Sequence, residues 1–479
     1  MHIDDITALI AEVDDSPAGP HIGAFFDFDG TLIDGYSAVA FFKDRLRRRE
    51  VNARQLLDAV VQTVNVEARG QDVDRLMNLG VGSLAGQDEQ AVLAMGERVF
   101  KSAIASTVFP EARALIAAHR RRGHTIVMAS SATSFQVASA AEDFGIDNVL
   151  CTQVEVVDGA LTGRVLGPIL WGVNKAAAVE GFAEKNDVDL SQSFAYGNGG
   201  EDVYYLATVG HPRPLNPDGD LIKTAQERNW PIARLQRPVR PTPTSVLRTT
   251  AALAAAGTGV AVGVGMGLLN RNRRTALELT ASIGSELAFA AAGITLDVAG
   301  QDNLWRQRPA VFVFNHQSQL DVLIMGALLR QDFTGVAKKE LRTDPLFAPL
   351  GWLADVAYVD RANTDKAKKA LAPAVAALKQ GRSLAMAPEG TRSATPRLGA
   401  FKKGAFHVAM QADVPMVPVV IRNAGELMPA HVPLLESGTL QVAVLPPVST
   451  KKWTQANLTK QVDKVRAMFL STLEDWPNE

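Results

Sequence analysis

Apolar runs and helical periodicity alternate along two separate stretches of this chain, as expected where parallel strands are joined by crossover helices. In the first stretch, from about residue 22 to 221, short apolar runs at 23–28, 125–129 and 194–196 predict strands. Residues 110–122 carry the spacing of an amphipathic helix. The segment between residues 36 and 106 is helical in pattern and too long for a simple connection, so it is expected to form a cap. A Pro- and Arg-rich passage at 231–243 breaks the periodicity and predicts a linker, placed at 226–250. Beyond it, 275–292 reads as a helix, and strand-like runs return at 310–314, 384–387, 416–421 and 440–445. The expected class is α/β in both halves. A first domain covers 1–225 with its cap at 36–106, helices cover 251–292, and a second α/β domain covers 293–479.

With 479 residues, 47% of them hydrophobic, each half can bury its own core. The single cysteine, Cys151, excludes an intramolecular disulfide and a cysteine-based zinc site, which suits a reducing cytosol. The opening Met-His-Ile-Asp-Asp-Ile-Thr lacks the basic and apolar regions of a secretory signal, so an intracellular start is expected. A net charge of −2 argues against a general polyanion binder. Nucleic acid is excluded as a partner because the basic residues flank apolar or phosphate-binding motifs, not aromatic stacking platforms.

Positive charge concentrates between Lys223 and Arg274, around an uncharged, small-residue stretch at 251–269. Arg248 precedes that stretch, and Arg271, Arg273 and Arg274 follow it. Its length sits at the lower edge for a spanning helix, and Gly259, Gly263 and Gly267 recur at the spacing that suits close helix packing. Three readings are open: a shallow or re-entrant membrane helix, a true span, and an ordinary buried helix. The flanking cations favour an anionic membrane surface. A dinucleotide-binding loop is excluded, since no predicted strand precedes the glycines.

The first chemical motif is Phe26-Asp27-Phe28-Asp29-Gly30-Thr31-Leu32, at the end of an apolar strand, where ligands of open α/β sheets bind. One carboxylate can attack phosphorus while the other protonates the leaving alkoxide and later activates water. As alternate residues, Asp27 and Asp29 share a face if the strand continues. Downstream, Ser130-Ser131 follow a second strand, Lys175 lies early in a helix beginning near Asn174, and Gly197-Asn198-Gly199-Gly200-Glu201-Asp202 ends another strand. Hydroxyl, amide and ammonium donors of this kind suit phosphoryl oxygens.

In order and spacing these blocks resemble the haloacid dehalogenase superfamily, specifically its phosphoserine-phosphatase-like branch (subfamily IB), over roughly the first 220 residues. That resemblance implies a Rossmann-like domain with a helical cap. It assigns Asp27 as nucleophile, Asp29 as general acid/base, and Ser130 and Lys175 as phosphate holders. It implies Mg2+ held by Asp27, the backbone carbonyl of Asp29, Asn198 and Asp202. The family usually has aspartate at the position of Asn198, so one anionic ligand becomes a neutral carbonyl here. Phosphoserine phosphatases also carry a glutamate near the position of Tyr36, which makes phosphoserine a poor substrate candidate.

The second motif, Asn315-His316-Gln317-Ser318-Gln319-Leu320-Asp321, follows the strand at 310–314. Its histidine and aspartate are spaced to meet on one helical turn, and His316 can deprotonate a hydroxyl while Asp321 orients the imidazole. Ala387-Pro388-Glu389-Gly390-Thr391-Arg392-Ser393 then offers a tight turn with an arginine and hydroxyls, and Lys338, Lys339 and Arg361 add cations. Together these blocks resemble the glycerolipid acyltransferase family, and in particular 1-acylglycerol-3-phosphate acyltransferases, from about residue 276 onward. The resemblance implies that His316 and Asp321 are catalytic. It places Lys339, Arg361, Glu389, Gly390, Thr391 and Arg392 at the acceptor's phosphate, and makes acyl-CoA the co-substrate. The family's amino-terminal helices dock on the membrane, which points to the cytoplasmic face of the cell membrane. Val414-Pro415-Met416-Val417-Pro418-Val419 matches a further family block, but a buried strand explains the same residues.

The expectation is therefore a bifunctional phospholipid-synthesis enzyme. One half acylates lysophosphatidic acid to phosphatidic acid, and the other hydrolyses a phosphomonoester. Two alternatives stand beside it: a first domain that binds phosphate ligands without turnover, and a different acceptor such as glycerol-3-phosphate or another lysophospholipid.

Overall fold

In the computed structural model, described over residues 2–3, 6–50, 73–236, 242–343, 351, 356–359, 371–429 and 432–477, the chain divides into the units Met1–Pro238 and Val239–Glu479. The strands of the first unit are β1 (Gly23–Phe26), β2 (Thr125–Thr133), β3 (Asn148–Val157), β4 (Ala160–Leu166), β5 (Phe194–Gly197) and β6 (His211–Pro214). They form a six-stranded sheet in the order β4-β3-β2-β1-β5-β6. Every pairing is parallel except the β3–β4 hairpin. A central parallel strand is covered on both faces, which is why β1 reads Gly-Ala-Phe-Phe and is buried at each position.

Between β1 and β2 come the helices α1 (Ser37–Arg47), α2 (Val73–Gly82) and α3 (Glu89–Val99). Residues 51–72 of the expected cap lie outside the described residues. The expected amphipathic helix is α4 (Pro110–Arg121), which starts with Pro at its first turn and buries Ala112, Leu115 and Ile116. After β2, Thr133 and Gln136 form a reciprocal capping box at the start of α5 (Ser134–Phe144), and Gly145 at φ 66° ends that helix. α6 (Val173–Lys185) carries Lys175 in its first turn.

The second unit contains β7 (Ile294–Ala299), β8 (Val311–Phe314), β9 (Phe333–Lys338), β10 (Ala357–Val359), β11 (Ser383–Met386), β12 (Met416–Ile421) and β13 (Gly438–Val444). Their order is β10-β9-β11-β8-β12-β13-β7, antiparallel only between β12 and β13. Alternate side chains of β8 serve opposite layers. Phe312 and Phe314 pack with Leu320 and Ile324, whereas Val311 and Val313 pack with Phe406 and Phe469.

The linker expected at 226–250 is largely structured. A helix at Gly219–Glu227 runs into it, and Ile232–Ala233 pairs in parallel with His2–Ile3. Residues 237–241 lie outside the described residues. From Pro243 the chain is already helical. α7 (Pro243–Leu269) starts where the Thr242 hydroxyl accepts from Ser245 N at 3.0 Å, with Pro243 at the first helical position, where a missing N–H costs nothing. The proline that suggested a linker is thus a helix start.

α7 and α8 (Arg273–Ala292) pack through the glycine stripe. A Cβ at Gly259 would lie 2.2 Å from Gly284 Cα, one at Gly263 2.1 Å from Thr280 Oγ1, and one at Gly267 2.4 Å from Ala276 Cβ. Small residues are what allow two backbones to come this close. Among the described residues α7 alone is long and apolar enough to cross a membrane, and only 22% of its most apolar window is buried. That exposure argues against the ordinary buried helix, and Leu253, Val262, Met266, Leu268 and Leu269 all lie at the surface.

Overpacking this contact is expected to destabilise the second unit. Gly263→Leu should reduce the unfolding free energy by about 1–3 kcal/mol, whereas Gly265→Leu, whose Cβ meets nothing within 4 Å, should cost little. Denaturant titration of both detergent-purified variants checks this. Equal losses at the two positions would contradict the packing account.

Candidate active sites

β1 ends at Phe26, so Asp27 sits just beyond the carboxyl end of the central strand, with its N–H donating to Tyr196 O at 2.9 Å. The shared-face geometry expected for Asp27 and Asp29 does not form, because the chain leaves the strand before Asp29 and turns at Gly30, φ 78°. Asp29 instead faces the start of α1. It accepts from Ser37 N at 2.6 Å and from Ser37 Oγ at 3.0 Å. Asp27 Oδ1 accepts from Lys175 Nζ at 2.9 Å, and the Thr31 hydroxyl lies 3.1 Å from Asp27 Oδ2 and 3.2 Å from Asn198 Oδ1. Lys175 also donates to Asp202 Oδ1 at 2.7 Å, while Asp202 Oδ2 accepts from Asn198 N and Gly199 N at 3.0 and 3.2 Å.

The fold therefore brings Asp27, Lys175, Asn198 and Asp202 together, with Asp29 on the cap side. Ser130 was expected just past a strand end, but β2 runs on to Thr133, and its pairing with β3 slips between Ser130 and Thr133. Ser130 is buried, with its Oγ accepting from Ala132 N at 3.1 Å. Thr31, Ser37 and Glu201 were not singled out from sequence. Thr31 stands four residues after Asp27 and Glu201 is next to Asp202, but only the fold shows that Ser37 returns to Asp29.

Burial pushes the Asp27 carboxyl up to about 8 against the pull of Lys175, and the charges of Asp202 and Asp29 add to the rise. Burial likewise raises Asp29 to about 6, opposed by the two hydrogen bonds from Ser37. Glu201 is raised to about 7 by burial and then by Asp202. For Lys175, burial alone would favour the neutral amine. Asp202 and Asp27 outweigh it and hold the ammonium charged above its ordinary range.

The converging donors are all oxygens: the Asp27 and Asp202 carboxylates, both on one ammonium, and the Asn198 amide carbonyl beside them. Among the described residues no three His, Cys, Asp or Glu side chains cluster as a metal site. Two carboxylates with neutral oxygens fit a hard ion such as Mg2+, which commonly keeps waters and takes substrate phosphate oxygens.

In the second unit, His316 lies in the loop after β8, and Asp321 in the first turn of α9 (Leu320–Leu329). The pair does not share one helical turn as expected; it spans the junction of loop and helix. His316 Nδ1 is 2.7 Å from Asp321 Oδ2, and the same oxygen accepts from Gln317 N at 2.8 Å and Ser318 N at 2.9 Å. Asp321 is fully buried, and a helix amino terminus favours its negative charge. A proton on Nδ1 shared with Asp321 leaves Nε2 as the basic nitrogen, and the imidazole is 25% exposed. Asn315 fastens this loop to β12, donating to Ile421 O at 2.7 Å and accepting from Ile421 N at 2.8 Å.

The turn after β11 meets the same loop. Glu389 Oε1 accepts from His316 N at 2.9 Å and Oε2 from Gly399 N at 2.8 Å, while Ser393 N donates to His316 O at 2.7 Å. Burial raises the Glu389 carboxyl above its usual range, with the two amides opposing. Gly390 takes φ 72°, Thr391 is exposed and Arg392 half-buried. Lys339 is exposed in the 3-10 turn Lys339–Thr343 after β9. Arg361 lies outside the described residues. Lys402 was missed from sequence: a Cβ at Gly390 would lie 3.0 Å from Lys402 Nζ, so this ammonium crosses the turn. The Lys402-Lys403 pair soon after the 387–393 block was the available signal.

Comparison with known proteins bears on both units. Residues 24–207 match the haloacid dehalogenase-like hydrolase family and residues 295–422 the acyltransferase family. The chain is 31% identical over 213 residues to phosphoserine phosphatase SerB1 of Mycobacterium tuberculosis, covering 44% of this chain and 69% of that one. It is 35% identical over 189 residues to the 1-acyl-sn-glycerol-3-phosphate acyltransferase of Saccharomyces cerevisiae, covering 38% of this chain and only 61% of the yeast protein. The solved 1-acyl-sn-glycerophosphate acyltransferase PlsC of Thermotoga maritima is 21% identical with a TM-score of 0.42, over 49% of this chain and 98% of that one. The chain belongs to the haloacid dehalogenase-like hydrolases through its amino-terminal unit and carries a second, carboxyl-terminal domain of the acyltransferase family.

Proposed function

We propose that the carboxyl-terminal unit transfers an acyl group from acyl-CoA to the free hydroxyl of lysophosphatidic acid, giving phosphatidic acid and free CoA. The observation that carries this reading is the His316–Asp321 pair, held in place by two backbone amides. His316 Nε2 takes the hydroxyl proton as the alkoxide oxygen attacks the thioester carbonyl. The C–S bond then breaks, and the proton passes to the leaving thiolate. Asp321 holds the ring and stabilises its cation throughout. Arg392, Thr391, Lys339, Lys402 and Arg361 are assigned to the acceptor's phosphate. Those cations suit any phosphate-bearing acceptor, glycerol-3-phosphate included. The helices α7 and α8, with the exposed Arg271, Arg273 and Arg274 at their junction, are assigned to the cytoplasmic face of an anionic membrane, peripherally or by shallow insertion.

For the amino-terminal unit the proposal is phosphomonoester hydrolysis. Asp27 attacks phosphorus, Asp29 donates a proton to the leaving alkoxide, and Asp29 then deprotonates the water that cleaves the aspartyl-phosphate. A carboxyl raised towards neutrality suits that double role. Asp27, the Asp29 carbonyl, Asn198 and Asp202 would hold Mg2+, which offsets the repulsion between carboxylate and phosphate. Lys175 and Ser130 hold phosphoryl oxygens. Asn198 favours a second reading, a phosphate-binding module without turnover, because a neutral amide stands where the metal end would gain a carboxylate.

Detergent-purified protein given labelled acyl-CoA and lysophosphatidic acid, with magnesium present or chelated, separates these readings. Acylation should fall by orders of magnitude in His316→Ala alone, and magnesium-dependent phosphate release from a phosphomonoester panel should be lost in Asp27→Asn alone. Acylation that survives without His316 contradicts the first assignment. Phosphate release that survives Asp27→Asn contradicts the second, and a panel yielding no phosphate supports the binding module.

A further inference from the structure

The Glu-Gly-Thr-Arg turn reads as a phosphate cradle, yet its first residue is an anion. A phosphomonoester near neutral pH carries about 1.5 to 2 negative charges and offers mainly acceptor oxygens. A carboxylate has no proton to donate to it, so direct contact would be repulsive. The geometry gives Glu389 other work. The residue is 6% exposed, and each of its carboxylate oxygens accepts one backbone N–H: His316 N at 2.9 Å and Gly399 N at 2.8 Å.

These bonds meet others at both ends. Ser393 N donates to His316 O at 2.7 Å, so the 389–393 turn grips the His316 residue through its amide and its carbonyl. At the far end Arg466, in the helix Leu458–Glu474, donates Nε to Gly399 O and Nη2 to Leu398 O, both at 3.0 Å. Gly399 is itself fitted to the carboxylate, since a Cβ there would lie 2.7 Å from Glu389 Oε2. Asp321 fixes the imidazole ring, but nothing in that bond fixes where the His316 backbone stands relative to the 391–392 side chains. Glu389 supplies that constraint at the His316 amide, as Ser393 N does at its carbonyl.

We infer that Glu389 is a positioning residue that registers His316 against the phosphate turn, and that it makes no contact with the acceptor's phosphate. The inference rests on His316 being the base. Proximity catalysis is sensitive to such registration, because a displacement of about 1 Å can cost on the order of a hundredfold in rate. Replacing Glu389 should therefore lower turnover and leave acceptor affinity alone.

The test uses the full chain in detergent micelles, with lysophosphatidic acid as the probe. Glu389→Gln keeps one acceptor oxygen and sets an NH2 against an N–H. It should lower kcat about ten- to a hundredfold, while the lysophosphatidic acid dissociation constant, measured without donor, stays within about twofold. Gly399→Ala keeps every site residue and presses a methyl group on the Glu389 carboxylate, so it should show the same pattern in milder form, and it carries the test if Glu389→Gln does not fold. On a His316→Ala background, adding Glu389→Gln should cause little further loss, because groups that act as one unit are not additive. A raised dissociation constant with kcat unchanged in either variant would overturn the inference, as would an undiminished loss on the His316→Ala background. Full activity of His316→Ala alone would instead sink the reading of His316 as base, and the two failures are thereby told apart.

Discussion

A carboxylate taken out of water must receive hydrogen bonds or a counter-charge, or its burial costs several kcal/mol. Both units meet this demand largely with backbone amides in the loops that follow parallel strands, although Asp321 takes all its hydrogen bonds on Oδ2 and leaves its buried Oδ1 without one. Asp202 takes Asn198 N and Gly199 N, Asp321 takes Gln317 N and Ser318 N, and Glu389 takes His316 N and Gly399 N. Two of these carboxylates in turn hold a functional group: Asp202 holds Lys175 in the first unit and Asp321 holds the His316 ring in the second.

The two sites use their remaining charge differently. In the phosphatase unit the ammonium of Lys175 bridges Asp27 and Asp202 at full burial and opposes the rise that burial imposes on Asp27. In the acyltransferase unit Asp321 is buried at a helix start against the His316 ring, which is partly exposed. The first arrangement gathers two carboxyl groups and an amide oxygen around one ammonium. The second sets a partly exposed imidazole beside the 389–393 turn.

Much of this was legible in the sequence because the motif blocks are local. Asp27 and Asp29, the 197–202 loop, the His316/Asp321 spacing and the 387–393 turn all announce themselves within a few residues, and the apolar runs located the central strands. The glycine spacing in α7 also predicted close helix packing, with the partner helix left unnamed. Geometry that depends on where an element stops was harder to read. The end of β1 at Phe26 decides that Asp27 and Asp29 part company, and Pro243 starts a helix where a proline-rich passage suggested a linker. Contacts distant in sequence were legible only where the family resemblance implied them, as between Asp27 and Lys175. Glu389 lies 73 residues from His316, and no spacing rule reveals that its carboxylate grips that backbone.

The central claim is that His316 acts as a base on the acceptor's own hydroxyl, so the acyl group passes directly from thioester to lipid. Incubating the purified chain with labelled acyl-CoA in the absence of acceptor, and recording intact protein mass alongside CoA release, tests this directly. The account predicts an unmodified protein mass and no CoA release until lysophosphatidic acid is added. A stoichiometric burst of CoA with an acyl adduct on the protein would contradict it.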